Sequence, residues 1–205
     1  MLAIQVPGTD SSSSSAQNAY GAILDTAIEL LAESTPSGMT INEVCKRARV
    51  RPPAIYYHFG SKEGLVGAAV ETVGAAWLEA LQAQLPAKGS FDETLSAALD
   101  GWQALIESKA RPIKLLISVQ LESAEMSAEI RAALQGVYDR ARTIIRLAIA
   151  TSSGATLHLD GIAETVLGLV QAAAIHFHLD GDRNALRTRL DELGRTLSLL
   201  VCQPY

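Results

Sequence analysis

The chain has 205 residues, of which 48% are apolar and 19% charged, and its net charge is −5. This composition excludes a largely disordered chain, because it can fill one sizeable core, or a small domain attached to a larger one. The apolar stretches carry polar residues, and no charged segment precedes an apolar one at the amino end. We therefore expect no membrane span, no export, no membrane partner and a cytoplasmic location. Cys45 and Cys202 lie far apart in helical patterns, which favours free thiols.

The cationic residues are unevenly distributed. Residues 40–62 hold five cationic side chains and one carboxylate, a local net charge of +4 that leaves −9 for the rest of the chain. This contrast suits a DNA-reading head on a body that DNA repels. Composition alone also allows an ordinary solvated face.

The first 15 residues contain Pro7, Gly8 and five consecutive serines without hydrophobic periodicity. They predict a disordered tail over residues 1–15. Beyond it, apolar residues recur at three- and four-residue spacings and no window alternates with period two, which predicts an all-α fold of about nine helices. The first helix carries the stripe that begins at Tyr20, and it ends before the Thr-Pro-Ser-Gly cluster at residues 35–38.

Two short helices follow in close succession. Thr40 begins the first, and its spacing to Glu43 predicts a capping box, in which the hydroxyl accepts from the Glu43 amide and the carboxylate reaches back to the Thr40 amide. The chain turns at residues 49–50, and the prolines at residues 52–53 suit the opening of a third helix that runs to about His58. A tight turn between two short helices, with a supporting helix on each side, is the layout of a helix-turn-helix.

The later helices are punctuated by glycine and proline. Ser61 is the predicted N-cap of a long fourth helix, and residues 86–90 are a predicted linker. The remaining helices are predicted at 91–108, 112–123, 127–151, 160–179 and 183–202.

Polar-tipped aromatic residues at positions 56–59 stand beside the basic cluster. A pair of short amphipathic helices is also common as plain core, but a purely structural segment would rarely expose such a set. Residues 20–70 resemble the DNA-binding domain of the TetR family of transcriptional regulators (TetR/AcrR type). The resemblance is carried by Ile23-Leu24-Asp25-Thr26-Ala27, by Thr40-Ile41-Asn42-Glu43-Val44 and by Ile55-Tyr56-Tyr57-His58-Phe59-Gly60-Ser61-Lys62-Glu63-Gly64-Leu65.

The resemblance implies a division of the chain by role. A helix-turn-helix DNA-binding domain is expected over residues 16–62, a connecting helix over 63–85, and a helical ligand-binding and dimerisation domain over 86–205. Contacts to the phosphate backbone are assigned to Thr40, Tyr56, Tyr57, His58 and Lys62. Base reading is assigned to Asn42, Arg51, Pro52, Pro53 and Ala54, with Tyr56 as an addition.

Arg49 departs from the family pattern. The family usually has glycine at this turn position, where a left-handed backbone is common and a side chain is costly. Either Arg49 adds a phosphate contact or the turn differs.

The middle helices are expected, by resemblance, to enclose a site for an unknown small-molecule effector. For each predicted wall residue, plain core packing is at least as good an explanation. A small and mainly hydrophobic effector would suit these walls. The predicted ligand-binding residues are Trp102, Ile106, Ile113, Leu116, Ile117, Gln120, Met126, Tyr138, Arg142 and Gln171.

The last two helices carry apolar stripes that predict an interface. A helix that is apolar on two sides needs two partners, and in the family the equivalent helices pair across a two-fold axis. Alternatively, both faces are filled within one chain. The predicted dimer-interface residues are Ile162, Val166, Leu169, Ala173, Phe177, Leu186, Leu190, Leu193 and Leu197.

Taken with the resemblance, these patterns predict a DNA-binding transcriptional regulator, by family default a repressor, that binds a palindromic operator in double-stranded DNA as a homodimer. We expect no cofactor and no metal ion. The sequence shows no zinc, nucleophile-elbow or phosphate-loop motif that would favour an enzyme. A helix-turn-helix used for protein contact is the other alternative, and steep salt dependence would discriminate DNA binding from it.

Overall fold

In the computed structural model, the described residues are 11–86, 89–108, 110–153 and 159–201. Over these ranges the chain forms nine α-helices and one 3₁₀ turn, with no strand, so the all-α prediction is confirmed. The helices are α1 (Ser11–Glu33), α2 (Ile41–Ala48), α3 (Pro52–Phe59), α4 (Lys62–Gln84), α5 (Phe91–Ser108), α6 (Ala110–Glu122), α7 (Ala128–Ser153), α8 (Leu159–Asp180) and α9 (Arg183–Val201); the turn is Ser123–Glu125.

The amino-terminal boundary differs from the prediction. Helix α1 begins at Ser11, so residues 11–15 are helical rather than disordered. Serine lacks the ring of proline and the extra backbone freedom of glycine, and its helix propensity is less favourable than that of alanine by only about 0.5 kcal/mol. A serine run can therefore extend a helix that later residues anchor. The rest of the predicted tail, and Cys202, lie outside the described residues; Cys45 is a free thiol.

The helix-turn-helix, α1 to α3 with the start of α4, is called the head below, and α5 to α9 the body. The core of the head is formed by residues from α1, α2, α3 and α4, and side chains of α6 and α7 complete this core. The head and the body therefore share one apolar cluster, and the predicted division by role does not separate two independent cores. Fully buried members of this cluster include Ile23, Leu31, Val44, Ile55, Leu65, Leu115, Val119 and Val137.

A second apolar cluster lies within the body. It joins the inner faces of α5, α7, α8 and α9 with the end of α4. The cluster includes the predicted interface stripe of α9, because α5 and α8 of the same chain cover it. The α9 interface prediction is therefore corrected: Leu186, Leu190, Leu193 and Leu197 are each at most 4% exposed.

The predicted interface residues of α8 divide between core and surface. Val166 and Ala173 are buried, and Ile162 and Phe177 are half-buried against the body cluster. Leu169 is the one member of the predicted set that is exposed. The α9 prediction failed because an apolar stripe of this spacing has the same pattern whether the helix that covers it belongs to the same chain or to a second one.

The close approach of α4 and α7 connects the head to the body. A Cβ added to Gly74 of α4 would lie 2.3 Å from Cγ2 of Val137 on α7. Since real Cβ atoms essentially never come so close to a neighbour, the absence of a side chain at Gly74 sets the distance between these helices.

Helices α4 and α8 are long and apolar enough, by length and composition, to cross a membrane. Both contribute buried residues to the clusters described above: α4 to both, α8 to the body cluster. Core packing accounts for the apolar character of α4, whereas α8 also carries exposed apolar residues, namely Leu169, Ile175 and Leu179.

Candidate functional site

The start of α2 is an exposed helix amino end. Thr40 is its N-cap, and the Thr40 hydroxyl accepts a hydrogen bond from the Glu43 amide at 3.2 Å. A hydroxyl that accepts one bond keeps its hydrogen to donate, and a phosphate oxygen is a suitable acceptor at such an end. The second half of the predicted capping box is corrected. The Glu43 carboxylate accepts from Arg47 Nε at 2.9 Å, and this bond lowers the pKa of Glu43 from its usual value.

The turn after α2 keeps the left-handed geometry that the family reaches with glycine. Arg49 has φ 56° and ψ 39°, and it is the C-cap of α2. Its amide donates to the Cys45 carbonyl, and the Val50 amide donates to the same oxygen at 3.1 Å. This pattern is typical of a helix end closed by a left-handed residue. The side chain of Arg49 is exposed.

The start of α3 lies directly after this turn. Arg51 is its N-cap, and Pro52 and Pro53 occupy its first two positions, as their missing amide hydrogens allow. All three side chains are exposed, whereas Ala54 is half-buried. Among these predicted base-reading residues, only Arg51 offers strong hydrogen-bond donors. Asn42, near the start of α2, is exposed as well.

Aromatic side chains cover the rest of α3. Tyr56 is 51% exposed and Tyr57 is 82% exposed, although both rings carry large apolar surfaces. His58 is half-buried, and its ring contacts Tyr57 and Tyr20 edge-on, with centroid distances of 5.0 and 5.8 Å. Tyr20 of α1 stacks on Phe59 at 4.8 Å. Sequence reasoning placed Tyr20 in the apolar stripe of α1 and missed that it supports the aromatic group of α3.

The free positive charge of the head is smaller than the sequence suggests. Arg47 forms ion pairs with Glu33 at 2.8 Å and with Glu43 at 2.9 Å, so its charge is largely neutralised. Lys62 is half-buried at the first position of α4, after the Ser61 N-cap. Lys46 is exposed on α2 and had no assigned role in the sequence-based prediction.

The body contains an apolar cavity where the effector site is predicted, called the inner cavity below. Seven of the ten predicted ligand-binding residues line it: Trp102, Ile106, Ile113, Leu116, Ile117, Tyr138 and Gln171. Its volume is about 40 Å³. Burial raises the pKa of Tyr138 to about 12, so the phenol is neutral at ordinary pH.

The other three predicted ligand-binding residues lie elsewhere. Gln120 and Arg142 line an adjacent polar pocket, where Arg142 pairs with Asp139 and Glu164. Met126 packs against the head cluster, because the turn after α6 folds back toward the head. Tyr138 joins the pocket to the inner cavity, and its hydroxyl donates to Gln120 Oε1 at 2.6 Å.

No group of three or more His, Cys, Asp or Glu side chains that could hold a metal ion occurs in the described part of the chain.

The comparisons with known proteins agree with this architecture. Residues 23–69 match the family described as bacterial regulatory proteins, tetR family. The transcriptional repressor Rv3405c of Mycobacterium tuberculosis is 35% identical over 66 residues, which are 32% of this chain and 35% of that protein. The chain thus matches about a third of the length of this curated relative.

Solved structures resemble the fold over most of its length. A transcriptional regulator of Rhodococcus sp. RHA1 is 22% identical with a TM-score of 0.74, covering 93% of this chain and 100% of that one. A TetR transcriptional regulator of Legionella pneumophila is 16% identical with a TM-score of 0.73, covering 94% and 99%. The fold and the head define a helix-turn-helix protein with a helical body. Its head matches the TetR family in sequence, and the proteins that the chain resembles are described as transcriptional regulators.

Proposed function

We propose that this chain is a cytoplasmic transcriptional repressor that binds a palindromic operator as a homodimer and is released by a small, mainly apolar effector. The observation that carries the DNA-binding part is the exposed aromatic pair on α3. Tyr57 is 82% exposed, whereas a tyrosine ring in a folded protein is usually at least partly buried. Tyr56 and Tyr57 lie on α3, whose N-cap is the exposed Arg51, and the Arg49 turn directly precedes this N-cap.

The polar groups of the head fall into two classes by the DNA contacts that they can make. The Thr40 hydroxyl, Arg49, Tyr57 and Lys62 can bind phosphate oxygens, which fixes the position of the head on the duplex. Asn42 and Arg51 can read base edges, each with about 1–3 kcal/mol of discrimination. Because Arg47 is paired within the head, we assign it no DNA contact.

Selection from a pool of random duplex DNA tests this assignment. The full chain should enrich an inverted repeat at moderate salt, and a variant with Tyr56→Ala and Lys62→Ala should lose it. Lys114→Ala is the matched control, because it removes an exposed cation from the body. Failure to enrich any sequence above background would contradict the proposal, as would loss of binding in the control.

The exposed face of α8 is the surface that we propose for dimerisation, in place of the stripe on α9. Leu169, Ala172, Ile175 and Leu179 are exposed there, and Leu179 is 79% exposed. Residues three and four apart lie on one helix face, so these side chains form a continuous apolar surface. A two-fold contact would place two heads about 34 Å apart on successive turns of DNA.

The dimer is tested by the mass of the chain in solution. Leu179→Glu should convert two chains per particle to one, because it buries a charge in the contact. Leu121→Glu, at a leucine of α6 that is 78% exposed, should leave the mass unchanged. A wild-type particle of one chain, or equal behaviour of both variants, would refute this interface.

A direct connection between α6 and the head supports effector release. Glu122 at the end of α6 accepts hydrogen bonds from the Ser37 amide at 3.0 Å and the Ser37 hydroxyl at 2.7 Å. Ser37 belongs to residues 35–38, which precede α2, and Ile113 and Ile117 of the same α6 line the inner cavity. A ligand that moves α6 would therefore move a support of the head.

Titration of apolar compounds against the operator complex tests the effector. We expect DNA release by compounds of this class at concentrations that leave the helical fold intact. Release by strongly charged compounds alone would contradict the proposal, since no charged side chain lines the inner cavity in the described part of the chain.

A further inference from the structure

A second apolar cavity, called the outer cavity below, lies beside the inner one. Its walls come from α4, α5, α7, α8 and α9, and they include Phe91, Ile145 and Val166. Trp102 lines both cavities. Each cavity has a volume of about 40 Å³.

The indole N–H of Trp102 is a buried donor without an acceptor. The residue is 4% exposed, and in the described part of the chain its Nε1 atom has no hydrogen-bond partner. Buried polar groups in folded proteins are nearly always paired, and an exception indicates either a functional role or a bound group. The residue that carries this orphaned donor lines both cavities.

The walls around Trp102 give a water molecule little to bind. A buried water typically needs two to four polar partners, and the outer cavity is lined mainly by aliphatic and aromatic side chains. Its only two hydroxyls among the described residues belong to Thr94 and Ser152, and that of Ser152 already donates to the Ala148 carbonyl at 2.6 Å. In the inner cavity, the Tyr138 hydroxyl donates to Gln120 and the Gln171 amide donates to the same Gln120 oxygen at 3.3 Å.

We propose that the effector is an uncharged, mainly apolar molecule carrying a carbonyl or ether oxygen that accepts a hydrogen bond from Trp102 Nε1. This inference rests on the proposed function and specifies the ligand class of its cavity. No charged side chain lines either cavity among the described residues, so a charged ligand would be buried without a counter-ion. An acceptor oxygen on Trp102 would instead satisfy the orphaned donor.

The cavity volumes add a consequence for the bound state. A cavity of about 150 Å³ holds one benzene molecule. A ligand with one heavy atom more than benzene, such as the probes below, is therefore larger than either cavity alone, and its binding must displace part of the lining. Trp102 lines both cavities, so a displacement of its side chain would join them into one larger site.

Two probes of the same shape test the proposal: cyclohexanone and methylenecyclohexane, which differ only in C=O against C=CH₂. Their affinities for the full chain are measured by equilibrium dialysis, with wild type, Trp102→Phe and Trp77→Phe. The ketone-to-alkene affinity ratio should be about 2- to 12-fold higher in wild type than in Trp102→Phe. Trp77, which lines only the inner cavity of the two, is the matched control, and Trp77→Phe should retain the wild-type ratio.

A second measurement does not depend on the stability of Trp102→Phe. The chain has two tryptophans, so Trp77→Phe leaves a single indole resonance in a proton–nitrogen NMR spectrum. The ketone should move this Trp102 resonance downfield and the alkene should not. Equal ketone-to-alkene ratios in wild type and Trp102→Phe, with no ketone-specific shift, would overturn the assignment of an acceptor oxygen. The proposal of an apolar effector would then still stand. If neither probe binds, both ligand proposals fail, whereas DNA selection separately tests the regulator.

Discussion

Replacing Arg49 with glycine should raise the stability of the chain and weaken its binding to DNA. Arg49 has φ 56°, a conformation in which an L-residue is less stable by roughly 1–2 kcal/mol. Glycine removes this penalty but loses about 0.5–1 kcal/mol through the greater freedom of its unfolded backbone. With the middle of each range, the net gain should be about 0.75 kcal/mol, which for a chain of this length raises Tm by about 1.5–3 °C.

The loss of DNA affinity has a different origin, namely the guanidinium. If Arg49 binds one phosphate, its removal should reduce the magnitude of the slope of log affinity against log salt by about 0.9. Arg49→Ala separates the two effects, because alanine removes the charge but keeps the costly backbone conformation. Both variants should show the reduced slope, and only Arg49→Gly should show the gain in Tm.

Thermal unfolding and salt titrations on one selected duplex measure these effects. A Tm for Arg49→Gly no higher than that for Arg49→Ala would refute the backbone argument. A salt slope unchanged in both variants would refute the phosphate contact.

Three further predictions follow from the packing and the polar contacts. Gly74→Ala should destabilise the fold by about 1–3 kcal/mol in urea unfolding, because the new Cβ would overlap Val137; Gly136→Ala, where a Cβ meets nothing within 4 Å, should stabilise it by about 0.5–1 kcal/mol. The raised pKa of Tyr138, about 12, means that the folded chain holds a proton that the unfolded chain loses above pH 10. Stability should therefore fall between pH 10 and 12, and Tyr138→Phe should flatten that dependence in unfolding measured against pH. Glu122→Ala should speed amide hydrogen exchange at residues 35–38 by a few fold without unfolding the body, because two hydrogen bonds to the head are lost; unchanged exchange would show that this contact does not hold the turn.

The helix boundaries were largely predictable because glycine, proline and capping residues mark them. Helix α5 has the predicted bounds, and Ser61 caps α4 as predicted. The start of α1 was not predictable from periodicity, since a serine run contains no apolar residue that could show which face is buried. The left-handed conformation of Arg49 was indicated only by the resemblance to the family, because an arginine does not itself favour this backbone conformation.

The candidate sites were predictable to different degrees. The residues expected to contact DNA are mostly exposed, because the head is a short local motif whose contacts lie close in sequence. The dimer face on α9 was wrong, since its leucines at three- and four-residue spacing indicate a covered face without indicating which chain covers it. Met126 was assigned to the effector site, whereas the turn after α6 folds it onto the head, a tertiary arrangement that no local pattern encodes.

The two faces of α6 restrict how such a protein could acquire a new ligand. Leu115 and Val119 complete the core of the head, and Ile113 and Ile117 line the inner cavity or pack against its cluster. Leu116 belongs both to the core of the head and to the lining of the inner cavity. A substitution on α6 that reshapes the cavity therefore lies within one helical turn of a residue in the core of the head. Changes of ligand preference on α6 should therefore often cost stability in the head, and adaptation should proceed more readily through α5 and α8.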